Sequence, residues 1–225
     1  MSNSNSNRGR LFRLTLFLAS GILILRGLYI LYSFTNTLRE LDVIEAERDQ
    51  WQRPVDVLRA LDLREGNTVV DLGSGAGYFA LKLSRVVGKT GQVLAVDLRK
   101  LSLFFLGTRT LLRRQHNVHI TVGEADDPGL PAGSVDAVLI SNTYHEFGNP
   151  ERTLKQVYQS LRAGGRIVVV DRGPSTTKGE QTHEVPLLVV ADQLQQEGFE
   201  IVNQDELFID RPGDDPWWLL VGRKP

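Results

Sequence analysis

Three glycines at alternate positions, Gly73, Gly75 and Gly77, follow Asp71 at the close of a short β-branched run. Glycine there lets the main chain turn tightly and pass close to a ligand where a side chain would collide. A dinucleotide fingerprint places glycine at the first, third and sixth positions, but the sixth counted from Gly73 is Tyr78. Asp71 suits another ligand, because a carboxylate at that place can accept hydrogen bonds, directly or through water, from the ammonium of an amino-acid moiety. About twenty residues further on, Asp97 ends a second apolar run, with Leu98 behind it, where an acid can accept both hydroxyls of an adenosine ribose. The competing reading makes these a tight turn and a strand-capping acid. Ser74 and Asn142 complete the polar set beside the turn.

A second group offers acid-base chemistry. Tyr144, His145 and Glu146 follow a fourth apolar run, at the edge where ligands of open α/β sheets bind. His145 and Glu146 can take a proton from an acceptor, with Tyr144 shaping the pocket. Alternatively Tyr144 and His145 pack against the cofactor or cap the next helix. Asp171 and Arg172 reach the same edge, either to bind an acceptor or as a strand-ending salt bridge, and His183 lies in a segment that would cover the pocket. His116 and His119 read as structural. The chain has no cysteine, which excludes thiolate metal sites and cysteine nucleophiles, and no histidine pair or carboxylate cluster has metal-ligand spacing.

The elements that must position these groups alternate. Residues 68–72, 92–97, 118–122, 135–141 and 166–171 are short apolar runs of the buried parallel type. Residues 76–87, 100–115 and 150–161 have helical length, the last stopped by Ala163-Gly164-Gly165 as a left-handed cap. Such alternation predicts a parallel sheet with right-handed crossovers. A helix over residues 184–197 and strands over 200–210 and 217–222 follow; the brief Pro-Gly-Asp-Asp-Pro link between those strands requires an antiparallel hairpin.

Four blocks make the chain resemble the class I S-adenosylmethionine-dependent methyltransferases, in particular the small-molecule branch with the ubiquinone/menaquinone-type C-methyltransferases. They are Val-Val-Asp-Leu-Gly-Ser-Gly-Ala-Gly-Tyr-Phe at 69–79, Val-Leu-Ala-Val-Asp at 93–97, Leu-Pro-Ala-Gly-Ser-Val-Asp-Ala-Val-Leu-Ile at 130–140 and Leu-Arg-Ala-Gly-Gly-Arg-Ile-Val-Val-Val-Asp at 161–171. The resemblance implies a Rossmann-like, seven-stranded, mostly parallel sheet with helices on both faces and a terminal hairpin. It also implies S-adenosylmethionine as cofactor, and places Glu124, Ala125 and Asp126 at the adenine. The family's Gly-Asp-Ala pattern is stretched here, so Glu124 and Asp126 compete as the acid receiving the exocyclic amine, with Asp126 preferred for its shorter side chain. The expected reaction is methyl transfer to a small acceptor by in-line displacement. A nucleotide-dependent oxidoreductase and a non-catalytic, membrane-tethered cofactor-binding protein are the alternatives.

Residues 1–10 form a polar and basic tip too hydrophilic to bury, read as disordered. Residues 11–34 are an apolar membrane-anchor candidate interrupted by Arg13 and Arg26, residues 35–63 carry N-terminal helices broken at Pro54, and residues 64–225 form the catalytic domain. The apolar stretch at 14–25 is shorter than the roughly 20 residues that span a bilayer, so a transmembrane anchor, an interfacial anchor and a cleaved signal peptide all compete. Arg8, Arg10 and Arg13 ahead of it would put the N-terminus in the cytosol and everything after a single span outside. A cytosolic cofactor argues instead for a domain facing the cytosol. With 26 basic against 27 acidic residues the chain has no global field to draw in nucleic acid, and the oligomeric state is not read from it.

Overall fold

The computed structural model describes residues 3–124, 126–173, 184–211 and 216–225, the first fourteen of these by their backbone alone. Two compact units divide the chain, Met1–Ala46 and Glu47–Pro225.

The first unit is a single helix. Helix α1 (Asn3–Trp51) is unbroken, and its stretch from Phe17 is long and apolar enough to cross a membrane by length and composition. Phe17, Leu18, Ile22–Leu25 and Leu28–Tyr32 are exposed, as are Arg26 and Gly27 between them. The helix takes in the polar tip for which composition predicts disorder: once an apolar stretch has nucleated a helix, each added residue brings its own hydrogen bond.

The second unit is one seven-stranded sheet in the order β3-β2-β1-β4-β5-β7-β6. Strands β1 (Thr68–Leu72), β2 (Gln92–Asp97), β3 (Val118–Val122), β4 (Val135–Ser141) and β5 (Leu161–Arg172) are parallel. Strands β6 (Glu200–Ile209) and β7 (Trp217–Arg223) close the sheet as the expected antiparallel hairpin, with β7 also antiparallel to β5. Alternation explains why the central strands β1, β4 and β5 are buried on both sides: Val69, Ala137, Leu139 and Val168 point into one core, and Val70, Val138, Ile140 and Ile167 into the other. The edge strand β3, read from the sequence as buried, is mostly exposed because nothing among the described residues pairs or packs beyond it. Each such fully buried valine, leucine or isoleucine of the central strands contributes roughly 1.5–3 kcal/mol. Helices α2 (Pro54–Ala60), α3 (Ala80–Val87), α4 (Lys100–Leu112), α5 (Pro150–Ser160) and α6 (Leu187–Gln196) supply the remaining layers. Because β1 pairs with β2 on one side and β4 on the other, the connections leave its carboxyl end in opposite directions and a crevice opens there.

Two boundaries differ from expectation. Helix α3 starts at Ala80, not at residue 76, because the glycine turn keeps non-helical backbone through Gly77. The Ala163-Gly164-Gly165 stretch lies inside β5 instead of capping α5. Its Gly164 N–H donates to the Lys224 carbonyl at 2.8 Å and its Gly165 carbonyl accepts from the Lys224 N–H at 2.9 Å, so the end of the chain takes up the polar groups that a cap would have turned to solvent.

Candidate functional site

The carboxyl ends of β1, β2 and β4 wall a cleft of about 690 Å³, open to solvent on one side. Leu72, Gly73, Asp97, Leu98, Glu124, Asp126, Thr143 and Glu146 line it, together with Arg99 and Phe147, which the sequence pattern did not single out. Of the sequence-predicted residues, Gly73, Asp97, Leu98, Glu124, Asp126 and Glu146 are on this wall, drawn from four separate stretches of chain, whereas Asp71, Ser74, Gly75, Gly77, Tyr78, Asn142, Tyr144 and His145 are not.

The turn is locked from both sides. Gly73 and Ser74 N–H groups donate to the Val96 carbonyl at 2.8 and 3.0 Å, which fixes the turn to β2. Gly73 has φ +82°, and a Cβ there would run into the Thr143 side chain. Gly75 has φ +53°, yet a Cβ at that place would meet nothing within 4 Å: close approach is reserved for something outside the protein fold. Arg109, buried on α4, donates to the Ala76 carbonyl at 2.6 Å and braces the far side of the turn. Its place as the one charged residue between Leu101 and Leu112 is the sequence signal that could have found it.

Asp97 holds the centre. Its Oδ2 accepts from Gly75 N–H at 2.7 Å and its Oδ1 from Arg99 N–H at 2.7 Å, while the Arg99 guanidinium donates at 3.2 Å to Oδ1 and 3.5 Å to Oδ2. Asp71 lies behind the turn instead of on the cleft wall. It is buried, and its Oδ2 has no hydrogen-bond partner. Burial pushes its carboxyl up to about 7, against the Ala80 N–H, which favours the charged form, and with the help of the nearby Asp97 charge. Ser74 Oγ and Asn142 Oδ1 are also buried without partners. Three unmatched polar oxygens around one turn ask for donors, and a ligand with an ammonium and hydroxyls supplies them. The residues present therefore fit an amino-acid-bearing nucleoside.

Tyr78, at the sixth position, faces elsewhere. Its hydroxyl donates to Asp49 Oδ1 at 2.8 Å, and the Arg48 guanidinium and Lys82 ammonium sit 3.8 and 4.3 Å from its ring centroid. The side chain links the turn to the last turn of α1, which accounts physically for an aromatic residue where a dinucleotide site has glycine. Asp126 and Glu124 both reach the cleft. Asp126 is the more fixed, its Oδ1 accepting from Asn149 N–H at 2.8 Å, whereas Glu124 is exposed. Ala125, His183 and the loop before Pro216 lie outside the described residues.

At the reacting end the sequence-predicted trio separates. Tyr144 turns into the core, 1% exposed, its hydroxyl donating to Gln193 Oε1 at 2.7 Å and its pKa raised by burial. This is neither pocket-shaping nor either alternative, since a phenol bonded inside the core is not poised over a cleft and the cap of α5 is Asn149. His145 instead meets Asp171: Nδ1 lies 2.8 Å from Oδ1, and the His145 N–H donates to Oδ2 at 3.3 Å. Asp171 is fully buried, and its hydrogen bond raises the His145 pKa against the opposing effect of burial. The other ring nitrogen lies 4.0 Å from Glu146 Oε1, which is itself 4.0 Å from Arg99 Nη1 on the cleft wall. Arg172 is exposed, with its guanidinium 5.3 Å from the Trp217 ring centroid.

Comparison with known proteins places this geometry. The family described as Methyltransferase domain matches residues 70–169. The chain is 32% identical over 111 residues to the ubiquinone/menaquinone biosynthesis C-methyltransferase UbiE of Haemophilus ducreyi, a match covering 48% of this chain and 42% of that protein. It is 30% identical over 118 residues to the protein of the same name from Pseudomonas entomophila, covering 52% and 46%. It thus spans less than half the length of these curated relatives. Among solved structures, a SAM-dependent methyltransferase from Aquifex aeolicus superimposes with a TM-score of 0.67 at 22% identity, over 76% of this chain and 89% of that one. The [4+2]-cyclase SpnF does so at 0.68 and 17%, over 77% and 81%. These likenesses establish the fold; a cyclase among them shows that the fold by itself does not name the reaction.

Proposed function

We propose that this chain is a class I S-adenosylmethionine-dependent methyltransferase that binds S-adenosylmethionine at the glycine turn and transfers a methyl group to a small lipophilic acceptor. The observation that carries the reading is the buried, unmatched Asp71 oxygen behind a turn whose Gly75 leaves room for a close ligand. That pairing suits a cationic amino acid joined to a nucleoside better than a dinucleotide, and Tyr78 at the sixth position agrees.

When bound, the cofactor supplies a methyl group activated by its positively charged sulfur. The chain's own task is to align the acceptor and exclude water. Asp71, Ser74, Asn142 and the turn would hold the amino-acid end, Asp97 with Leu98 the ribose, and Asp126, with Glu124 and Ala125 beside it, the adenine. His145, oriented through Nδ1 by Asp171, takes the proton from an acceptor that must lose one, and Glu146 stands beside its other nitrogen.

The apolar stretch of α1 and the printed names of the curated relatives support a lipophilic acceptor met at a membrane, with the larger unit on the cytosolic side where the cofactor is made. Isothermal titration of the full chain with S-adenosylmethionine tests the reading, and absence of binding at millimolar ligand removes it. Fluorescence enhancement of NADH on mixing would favour an oxidoreductase instead.

A further inference from the structure

Between Asp97 and Glu124 the sequence has no acidic residue, while Arg99, Lys100, Arg109, Arg113 and Arg114 are basic. Helix α4 occupies the middle of this stretch and is apolar on both sides. Leu103 and Leu106 are buried against the sheet, yet Leu101, Phe104, Leu111 and Leu112 are 69%, 58%, 71% and 67% exposed. Their positions recur at helical spacing, so they form one stripe along the outer face. The polar group within that stripe is satisfied internally: Thr108 Oγ1 donates to the Phe104 carbonyl at 3.0 Å. Next to α4, the outermost strand β3 leaves Val122 half exposed. Of the basic residues only Arg109 is turned inward; Arg99, Lys100, Arg113 and Arg114 are exposed at the two ends of the helix.

We propose that the outer face of α4 is a membrane-docking surface that lays Leu101, Phe104, Leu111 and Leu112 into the interfacial layer of an anionic bilayer, with Lys100, Arg113 and Arg114 on the headgroups. A leucine and phenylalanine stripe flanked by bases, with no acid in the sequence between residues 98 and 123, is the composition that binds such an interface. The charge pattern selects this occupant over a second copy of the chain, since two such faces brought together would oppose like charges. It also deepens the reading above. Leu98 and Arg99 belong both to this edge and to the cleft lining, so a docked chain holds the cleft beside the bilayer that carries a lipophilic acceptor.

The absence of cysteine makes a direct test available. Phe104→Cys and Leu111→Cys, each in the full chain, carry an environment-sensitive fluorophore; Gln159→Cys, exposed on α5, is the control and Leu25→Cys reports on α1 separately. The probes are vesicles of phosphatidylcholine alone or with phosphatidylglycerol, containing a lipid-borne quencher. The expected result is quenching at 104 and 111 but not at 159, dependent on phosphatidylglycerol and weakened by salt. Lys100→Gln, Arg113→Gln and Arg114→Gln together should weaken vesicle affinity on the order of a hundredfold, from about 1 kcal/mol per base. Labels at 104 and 111 that stay as open to water as 159, while the label at 25 is quenched, overturn the proposal. Shielding at 104 that grows with protein concentration in the absence of vesicles also overturns it, in favour of a second copy. Calorimetry with S-adenosylmethionine on the same samples separates the two readings: quenching without nucleotide binding upholds the surface and removes methyl transfer.

Discussion

Asp171 Oδ1 and His145 Nδ1 stand 2.8 Å apart, joining the end of β5 to the short helical turn after β4. The carboxylate is fully buried and the imidazole mostly so, which gives the hydrogen bond a well-defined geometry and orients the ring.

If His145 is the base, activity rises with pH through its pKa, which Asp171 holds above the ordinary value. Asp171→Asn should therefore move the rising limb of the pH-rate profile to lower pH and reduce kcat by on the order of tenfold, a part of the roughly 10²–10⁴ usual for general-base catalysis. KM for S-adenosylmethionine should stay unchanged. The stability the pair provides is present below the unfolded histidine value and fades as pH rises through the raised folded one. The Tm gap between wild type and Asp171→Asn should accordingly narrow from pH 6 towards pH 9. An unshifted profile would remove the pair from catalysis.

Asp71 behaves oppositely. With its carboxyl pushed up to about 7, a cationic ligand binds best once the proton has left. Affinity for S-adenosylmethionine should increase between pH 6 and 8, with proton release visible as a dependence of calorimetric heat on buffer. A buried acid with a raised folded pKa costs stability as pH climbs from the unfolded value to the folded one. Asp71→Asn should thus stabilise the ligand-free chain at neutral pH by about 1–3 kcal/mol while weakening binding. Loss of both stability and affinity would contradict this.

The two left-handed glycines should separate folding from binding. Gly73→Ala adds a collision with Thr143 to the backbone strain, for a loss of about 2–4 kcal/mol, whereas Gly75→Ala should cost only about 1 kcal/mol from strain. Gly75→Ala should nonetheless abolish cofactor binding. Chemical denaturation of Gly73→Ala with and without Thr143→Gly checks the collision, which predicts partial recovery in the double variant.

Tyr144→Phe removes a core hydroxyl bonded to Gln193, so we expect about 1 kcal/mol of lost stability and a kcat within twofold of wild type. A large fall in kcat at unchanged stability would return Tyr144 to the cleft.

Much of the fold is visible in the sequence because a strand buried on both faces cannot hide: the β-branched runs at β1, β2 and β4 are apolar at every second position on each side. The glycine turn and Asp97 are local motifs, and local motifs survive without coordinates. What was not visible depends on pairs distant in sequence. Nothing local links His145 to Asp171, 26 residues away, or shows that Arg109 braces Ala76. Side-chain direction is equally hidden: Tyr144 and His145 are neighbours, yet one enters the core and the other meets the β5 carboxylate. Gly164 and Gly165 read as a helix cap because the competing partner, Lys224, lies at the far end of the chain.

Asp97 receives four donors, from the backbone of Gly75 and Arg99 and from the guanidinium of Arg99, which matches the roughly four lone-pair sites a carboxylate has to offer. A ribose can therefore gain this acid only by exchange, sending the exposed arginine away towards Glu146 while the two main-chain bonds stay. Arrival of a nucleoside is then a replacement reaction with an internal competitor, which moderates affinity and returns the competitor when spent nucleoside must leave. Arg99→Ala should on this account hold its ligand more tightly and release it more slowly.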